Sequence, residues 1–142
     1  MADTDELEIS MDADSAFYWE GTKHDQLLVQ RCRMCSALRH PAGPVCPKCR
    51  SLEWDAEAAP SVGVLHSIAK VHYPASPMQG SGYLICLVDL ADGVRVATNL
   101  RGCELGDAAI GMAVELCFEP IAHGFKLPQF RPVPAASTAE AS

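Results

Sequence analysis

Hydrophobic and polar positions change their period along this chain, and the changes mark out its elements. Behind Asp14 and Ser15, either of which can accept the orphan N–H groups of a helix start, the aromatic run Phe17, Tyr18 and Trp19 predicts a short helix that Gly21 and Thr22 bring to an end. The apolar stretch Leu27, Leu28 and Val29 reads as a strand entering Cys32. From Ser61 onward the pattern is β. The segment VGVLHSIAKVHY is rich in β-branched and aromatic residues and stops at Pro74, whereas PASPMQGSG is a loop by its proline and glycine. YLICLVDL is nearly continuous in apolar residues, as expected of a strand covered on both faces. In Ala91-Asp92-Gly93 the Asp-Gly pair suits the positive φ of a tight hairpin, after which Val94, Val96, Thr98 and Leu100 alternate. RGCELGDAAIGM is rich in turn residues with room for one helical turn. AVELCFEPI alternates again through Val114, Leu116 and Phe118, and KLPQFRPV supplies a last short strand. Five strands with a turn of helix between the third and fourth predict a small Greek-key barrel of the OB type.

Residues 1–14 are acidic without periodicity and residues 134–142 are small and polar, so both are expected to be disordered tails. The expected organisation is a tail over 1–14, a helical segment and lead-in strand over 15–30, a metal-binding ribbon over 31–60, a five-stranded barrel over 61–133 and a second tail over 134–142.

The ribbon carries the strongest chemical signal. Cys32 and Cys35 are separated by two residues, as are Cys46 and Cys49, with ten residues between the pairs. Each short spacing lets two thiolates and the intervening N–H groups curl round one ion, and two such knuckles close a tetrahedral sulfur shell. Zinc is the expected ion; the same spacing admits an iron site or a redox pair. Four sulfurs leave no position for water, which makes the expected role structural rather than Lewis-acid. Cys86, Cys103 and Cys117 have no partner spacing and read as small core hydrophobes. His24, His40, His66, His72 and His123 are scattered and accompany no hydrolase motif, so no catalytic residue is named. His40 adjoins the metal loop, where four cysteines already suffice.

Charge changes which partners are plausible. With 11 basic and 18 acidic residues in 142, the formal charge is −7, which opposes a polyanion. Within residues 61–133, five basic side chains stand against six acidic ones, so the barrel has no basic groove in its composition. The ribbon differs: Arg31, Arg33, Arg39, Lys48 and Arg50 stand among residues 31–51 with no acid. Allowing about −2 for a zinc tetrathiolate, roughly +3 remains, enough to meet a small phosphorylated ligand or an acidic protein face. No apolar run reaches the roughly 20 residues of a spanning helix, and the acidic start MADTDELEIS is unlike a signal peptide. The expectation is a cytoplasmic protein with reduced thiols and no membrane partner.

The stretches FYWEG, LLVQRCRMCSALRHP, PVCPKCRS, LEWD, IGMAVELCFEP and LPQFRPV together resemble the zinc-ribbon and OB-fold proteins that accompany thiolases and other acyl-CoA enzymes. The likeness runs over about residues 15 to 133. It implies a mostly β fold: an N-terminal helical segment, a rubredoxin-like zinc ribbon and a five-stranded OB-fold barrel. By resemblance the zinc ligands are Cys32, Cys35, Cys46 and Cys49. The implied function is a non-catalytic accessory subunit that binds acyl-CoA, or docks on a thiolase-like, aldolase or hydratase partner, with the five ribbon cations as candidates for a CoA phosphate or partner contact. A single-stranded nucleic-acid binder is the alternative, disfavoured by charge. One departure is local. Many members have glycine directly after a CxxC knuckle, where this chain has Ser36 and Arg50, so those backbones are expected to be strained or differently turned.

Overall fold

The computed structural model describes residues 11–73, 82–90 and 93–134. Most of the PASPMQGSG loop, residues Ala91 and Asp92 of the hairpin turn, and most of both tails lie outside the described residues. The first element, α1 (Ala16–Thr22), is a two-turn helix carrying the aromatic run. Its entry differs from expectation. Ser15 sits at the N-cap without a side-chain capping bond; instead its N–H donates to Asp12 Oδ1 at 2.9 Å and its Oγ accepts the Asp12 N–H at 3.2 Å. The reciprocal lock is therefore one turn early, between Asp12 and Ser15.

Three short strands build the ribbon. β1 (Leu28–Cys32) pairs antiparallel with β2 (Leu38–Arg39) on one side and with β3 (Trp54–Ala58) on the other. The β1–β3 register sets Cys32 opposite Trp54, Arg31 opposite Asp55 and Val29 opposite Glu57. The ring of Trp54 packs on Phe17 of α1, centroids 4.6 Å apart.

The remaining strands are β4 (Val62–Val71), β5 (Tyr83–Asp89), β6 (Arg95–Asn99), β7 (Ala113–Pro120) and β8 (Lys126–Pro132). They form one antiparallel sheet in the order β6-β5-β4-β7-β8, and its ends curl together through a parallel bridge between Leu100 and Phe130. The Arg101 N–H donates to Phe130 O at 2.8 Å, and Thr98 Oγ1 donates to Pro128 O at 2.6 Å, so closure is hydrogen-bonded as well as packed. A single 3-10 turn at Leu105–Asp107 lies between the third and fourth strands. This is the five-stranded OB arrangement the alternation predicts. Gly63 shows why the sheet can coil so tightly: a Cβ there would stand 2.7 Å from Asp89 O and 2.7 Å from Val88 Cγ1.

The core is one cluster containing Leu65, Leu84, Cys86, Val88, Leu90, Val94, Val96, Leu100, Val114 and Phe130. Leu27 and Val29 of the ribbon lead-in belong to the same cluster, so the two β units share apolar contacts. A second tie comes from Thr22, fully buried at the end of α1, which accepts the Lys126 N–H at 3.1 Å while its hydroxyl donates to Trp19 O at 2.6 Å. β5 departs from expectation. Its burial alternates, with Leu84, Cys86 and Val88 inside and Ile85 on an open outer face, because the barrel covers only one side of the strand.

Candidate metal centre and its surface

Two nearly identical knuckles position the four sulfurs. In the first, the Ser36 N–H donates to Cys32 O at 2.9 Å and the Cys32 N–H to Ala37 O at 2.9 Å; in the second, Arg50 N–H bonds Cys46 O at 2.8 Å and Cys46 N–H bonds Ser51 O at 2.9 Å. The turn each knuckle needs puts its last residue at positive φ, +66° for Ser36 and +67° for Arg50, so the strain expected from the missing glycines is present. The Sγ atoms of Cys32, Cys35, Cys46 and Cys49 all lie within 4.8 Å of one another, with 3.4 Å between Cys32 and Cys49 and 3.6 Å between Cys35 and Cys46. A tetrahedral Zn–S4 shell with bonds near 2.3 Å requires edges of about 3.8 Å, so the four thiols fit one ion. Cys32 and Cys46 are buried and Cys35 and Cys49 exposed, so the site lies at the outer end of the ribbon.

Electrostatics favours thiolate where the backbone points inward. The N–H groups of Cys35 and then Met34 hold the Cys32 thiol below its ordinary range, and those of Cys49 and then Lys48 hold Cys46 down to about 6. Cys49 goes the other way, to about 12: the Ser51 N–H pulls it down, but the sulfurs of Cys32, Cys35 and Cys46 outweigh that pull by competing for the same charge. Four thiols so close cannot all ionise without a cation, and a metal ion removes the conflict.

The structure sorts the five ribbon cations. The Arg31 guanidinium forms a two-pronged pair with Glu57, through Nε and through Nη2 at 2.8 Å to Oε2, and holds the Glu57 carboxyl below its usual range. Arg33 meets Asp55 at 2.8 Å and Glu53 at 3.8 Å. Arg39 is buried; its Nη2 donates to Gly43 O at 3.2 Å while Gln30 Oε1 accepts the Gly43 N–H at 3.0 Å, which pins the loop between the knuckles. Lys48 and Arg50 are exposed and, among the described residues, form no ion pair. The basic surface expected from residues 31–51 is thus reduced, among the described residues, to Lys48 and Arg50, because Glu53 and the β3 residues Asp55 and Glu57 pair with Arg31 and Arg33, and Arg39 is buried.

Elsewhere the thiols are quiet. Burial pushes Cys86 up to about 11 and also raises Cys103 and Cys117, so each stays protonated near neutrality. His40 stacks near Tyr18, ring centroids 5.6 Å apart, and burial lowers its pKa; it is not in the sulfur cluster. His66 Nδ1 joins an exposed network with Asp89 at 3.3 Å and Arg95 at 3.2 Å. Beside it the outer face of β4, β5 and β6 forms an open, mainly apolar groove of about 690 Å³ lined by Ser67, Ala69, Ile85, Leu87 and Ala97. Sequence reasoning missed this groove. Its signal is the unbroken apolar run of β5, which predicts cover on both faces where the structure leaves one open. No helix among the described residues is long and apolar enough to cross a membrane.

A tetrathiolate ribbon strapped by a short helix to a closed five-stranded barrel defines a zinc-ribbon and OB-fold protein. Residues 19–55 match the family described as ChsH2, rubredoxin-like zinc ribbon domain, and residues 56–119 match ChsH2, C-terminal OB-fold domain. The chain of the solved "Ltp2-ChsH2(DUF35) aldolase" is similar over 88% of this chain and 98% of its own length, at 38% identity and a TM-score of 0.82. This protein belongs to that ChsH2-type DUF35 family. Two further relatives are a "probable enoyl-CoA hydratase alpha subunit" of Thermomonospora curvata, 39% identical over 87% of this chain, and a "3-oxo-4,17-pregnadiene-20-carboxyl-CoA hydratase alpha subunit" of Mycobacterium tuberculosis, 34% identical over 77%. This chain spans only 39% and 35% of those two proteins. A "DUF35 domain-containing scaffold protein" of Methanocaldococcus jannaschii is 29% identical over 72% of this chain and is itself covered over 75%.

Proposed function

We propose that this protein is a non-catalytic accessory subunit of an acyl-CoA hydratase, aldolase or thiolase-like enzyme, with Cys32, Cys35, Cys46 and Cys49 holding one structural zinc. The observation that carries the reading is the near-complete match, 98% of its length, to the chain of the solved "Ltp2-ChsH2(DUF35) aldolase". Two features of the site agree. Four sulfurs fill a tetrahedral shell, so when zinc is bound it supplies folding free energy and not an open coordination position. The three remaining thiols are held protonated, which leaves them poor nucleophiles. The relatives named as hydratase alpha subunits are more than twice as long as the region this chain matches.

Direct contact with acyl-CoA is a finer part of the proposal. The apolar groove over Ile85 and Leu87 is of a size that takes an acyl group, and Lys48 and Arg50 are the ribbon cations left for an anionic contact. Arg31 and Arg33 are paired with acids, and Arg39 is buried. A tagged copy expressed in the native host is expected to retain a hydratase or aldolase chain, and titration of the lone protein with acyl-CoA is expected to give heat without turnover. Turnover by the lone protein would reject the accessory role; absence of heat would remove acyl-CoA from the proposal while leaving docking intact.

A further inference from the structure

The two unpaired cations share their end of the ribbon with exposed aliphatic side chains. Met34 lies between the cysteines of the first knuckle, Val45 directly precedes the second, and Leu52 follows Arg50 by two residues. Met34 is 72% exposed, Leu52 68% and Val45 43%. Because the sulfurs of both knuckles lie within 4.8 Å of one another, these positions surround one metal centre. Aliphatic groups held in water by so short a backbone cost hydration free energy that a partner surface recovers, and the hydrogen bonds fixing both knuckles mean little ordering remains to be done on docking.

We propose that this end of the ribbon is the docking surface for the catalytic partner: Met34, Val45 and Leu52 form its apolar centre, Lys48 and Arg50 its cationic edge, and the partner meets it with an apolar recess bordered by carboxylates. The proposal rests on the accessory-subunit reading and assigns the contact within it. Charge selects the occupant. Among the described residues the acids go to Arg31 and Arg33 and none pairs with Lys48 or Arg50; a zinc tetrathiolate offsets their charge overall, but their exposed N–H donors stay open to the carboxylates of an acidic face. A second copy is the wrong partner, since a two-fold contact through this patch sets the same cations against themselves. The barrel groove offers no such selection: the charges at its edge, Asp89, Arg95 and His66, already satisfy one another.

The test uses the full chain, zinc-loaded, titrated against the hydratase or aldolase chain that co-purifies with it from the native host. Three double variants are compared: K48E/R50E, M34S/L52S and, on the exposed face of β4 outside the groove, V62S/V64S, each checked for zinc content and circular dichroism. Both ribbon variants are expected to keep their zinc and to weaken the complex at least tenfold, and K48E/R50E to flatten the loss of affinity between 50 and 300 mM salt; V62S/V64S is expected to bind as the parent does. Parent-like binding by both ribbon variants, or a loss confined to V62S/V64S, overturns the assignment while leaving the accessory role standing. Loss with M34S/L52S but not with K48E/R50E overturns the acidic complement. A dimer of the lone chain that M34S/L52S dissolves gives the patch to a second copy, and tighter partner binding on deletion of residues 1–10 gives it to the acidic N-terminus; either overturns the proposal. If no acyl-CoA enzyme is retained at all, the accessory reading fails, and this assignment with it.

Discussion

Ser36 and Arg50 hold left-handed backbone with β-carbons in place, at φ of +66° and +67°. Ser36 makes no side-chain contribution to the metal shell, so glycine there relieves the strain without touching a ligand. Ser36→Gly is expected to raise the stability of the zinc-loaded protein by about 1 kcal/mol, read as a higher urea midpoint with unchanged slope; an unchanged or lower midpoint contradicts the strain. The reverse case is Gly63, where a methyl group meets Asp89 O and two core side chains below 3 Å. Gly63→Ala is expected to cost roughly 1–3 kcal/mol through displacement of β5 against β4, measured the same way. At this scale the sequence was legible where chemistry depends on spacing along the chain, as in the two CxxC pairs. It was illegible where chemistry depends on register: nothing local to Arg31 or Arg33 says that Glu57 and Asp55 arrive across a strand pair more than twenty positions later.

β1 links the two units. Its lead-in residues Leu27 and Val29 enter the barrel core, Gln30 braces the inter-knuckle loop through Gly43, and Cys32 ends it in the metal cluster. Zinc removal by chelator is therefore expected to open the ribbon first. Trp54, opposite Cys32 and stacked on Phe17, should shift its emission to the red, and protease cuts should appear within residues 36–45, while the β signal of the barrel persists with a lowered melting temperature. Simultaneous loss of both signals would show that the barrel cannot stand without the metal. Acid acts on the same element. Metal binding requires thiolates, so protons compete as pH falls; the inward N–H groups that lower Cys32 and Cys46 favour the bound state, and zinc is expected to stay bound at neutral pH and to be released as acid protonates the sulfurs. Release already at pH 8, followed with a colorimetric zinc dye, would contradict the inward N–H groups as the cause. The strands themselves were legible from alternation. The outer face of β5 was not, because a continuous apolar run is the same whether its second face is covered by this chain, by another, or left open.

As a whole, the molecule carries two distinct surfaces on a shared core. One is a sulfur cluster in the ribbon with a cationic and aliphatic rim, and the other an apolar groove on the outer face of the barrel strands β4, β5 and β6. The order of helix, ribbon and barrel follows from composition and period alone, since each unit has its own pattern. Their fusion through Leu27, Val29 and the Thr22 to Lys126 hydrogen bond does not, since it joins positions about a hundred residues apart. Rigid connection suits a subunit that must present two surfaces in fixed relation. Packing of Phe130, fully buried at the barrel closure, supports that rigidity, and Phe130→Ala is expected to cost about 3–5 kcal/mol and to weaken partner binding even with zinc retained. The central claim, that this chain serves an enzyme without being one, is tested most directly by a single reconstitution. The acyl-CoA turnover of the co-purifying hydratase or aldolase chain is measured alone, with zinc-loaded protein added to saturation, and against this protein alone. The account expects no turnover by this protein, a rise in the partner's rate that saturates at a fixed ratio of the two chains, and loss of that rise with Cys46→Ser. Turnover by the lone chain, or a partner rate indifferent to its presence, would contradict it.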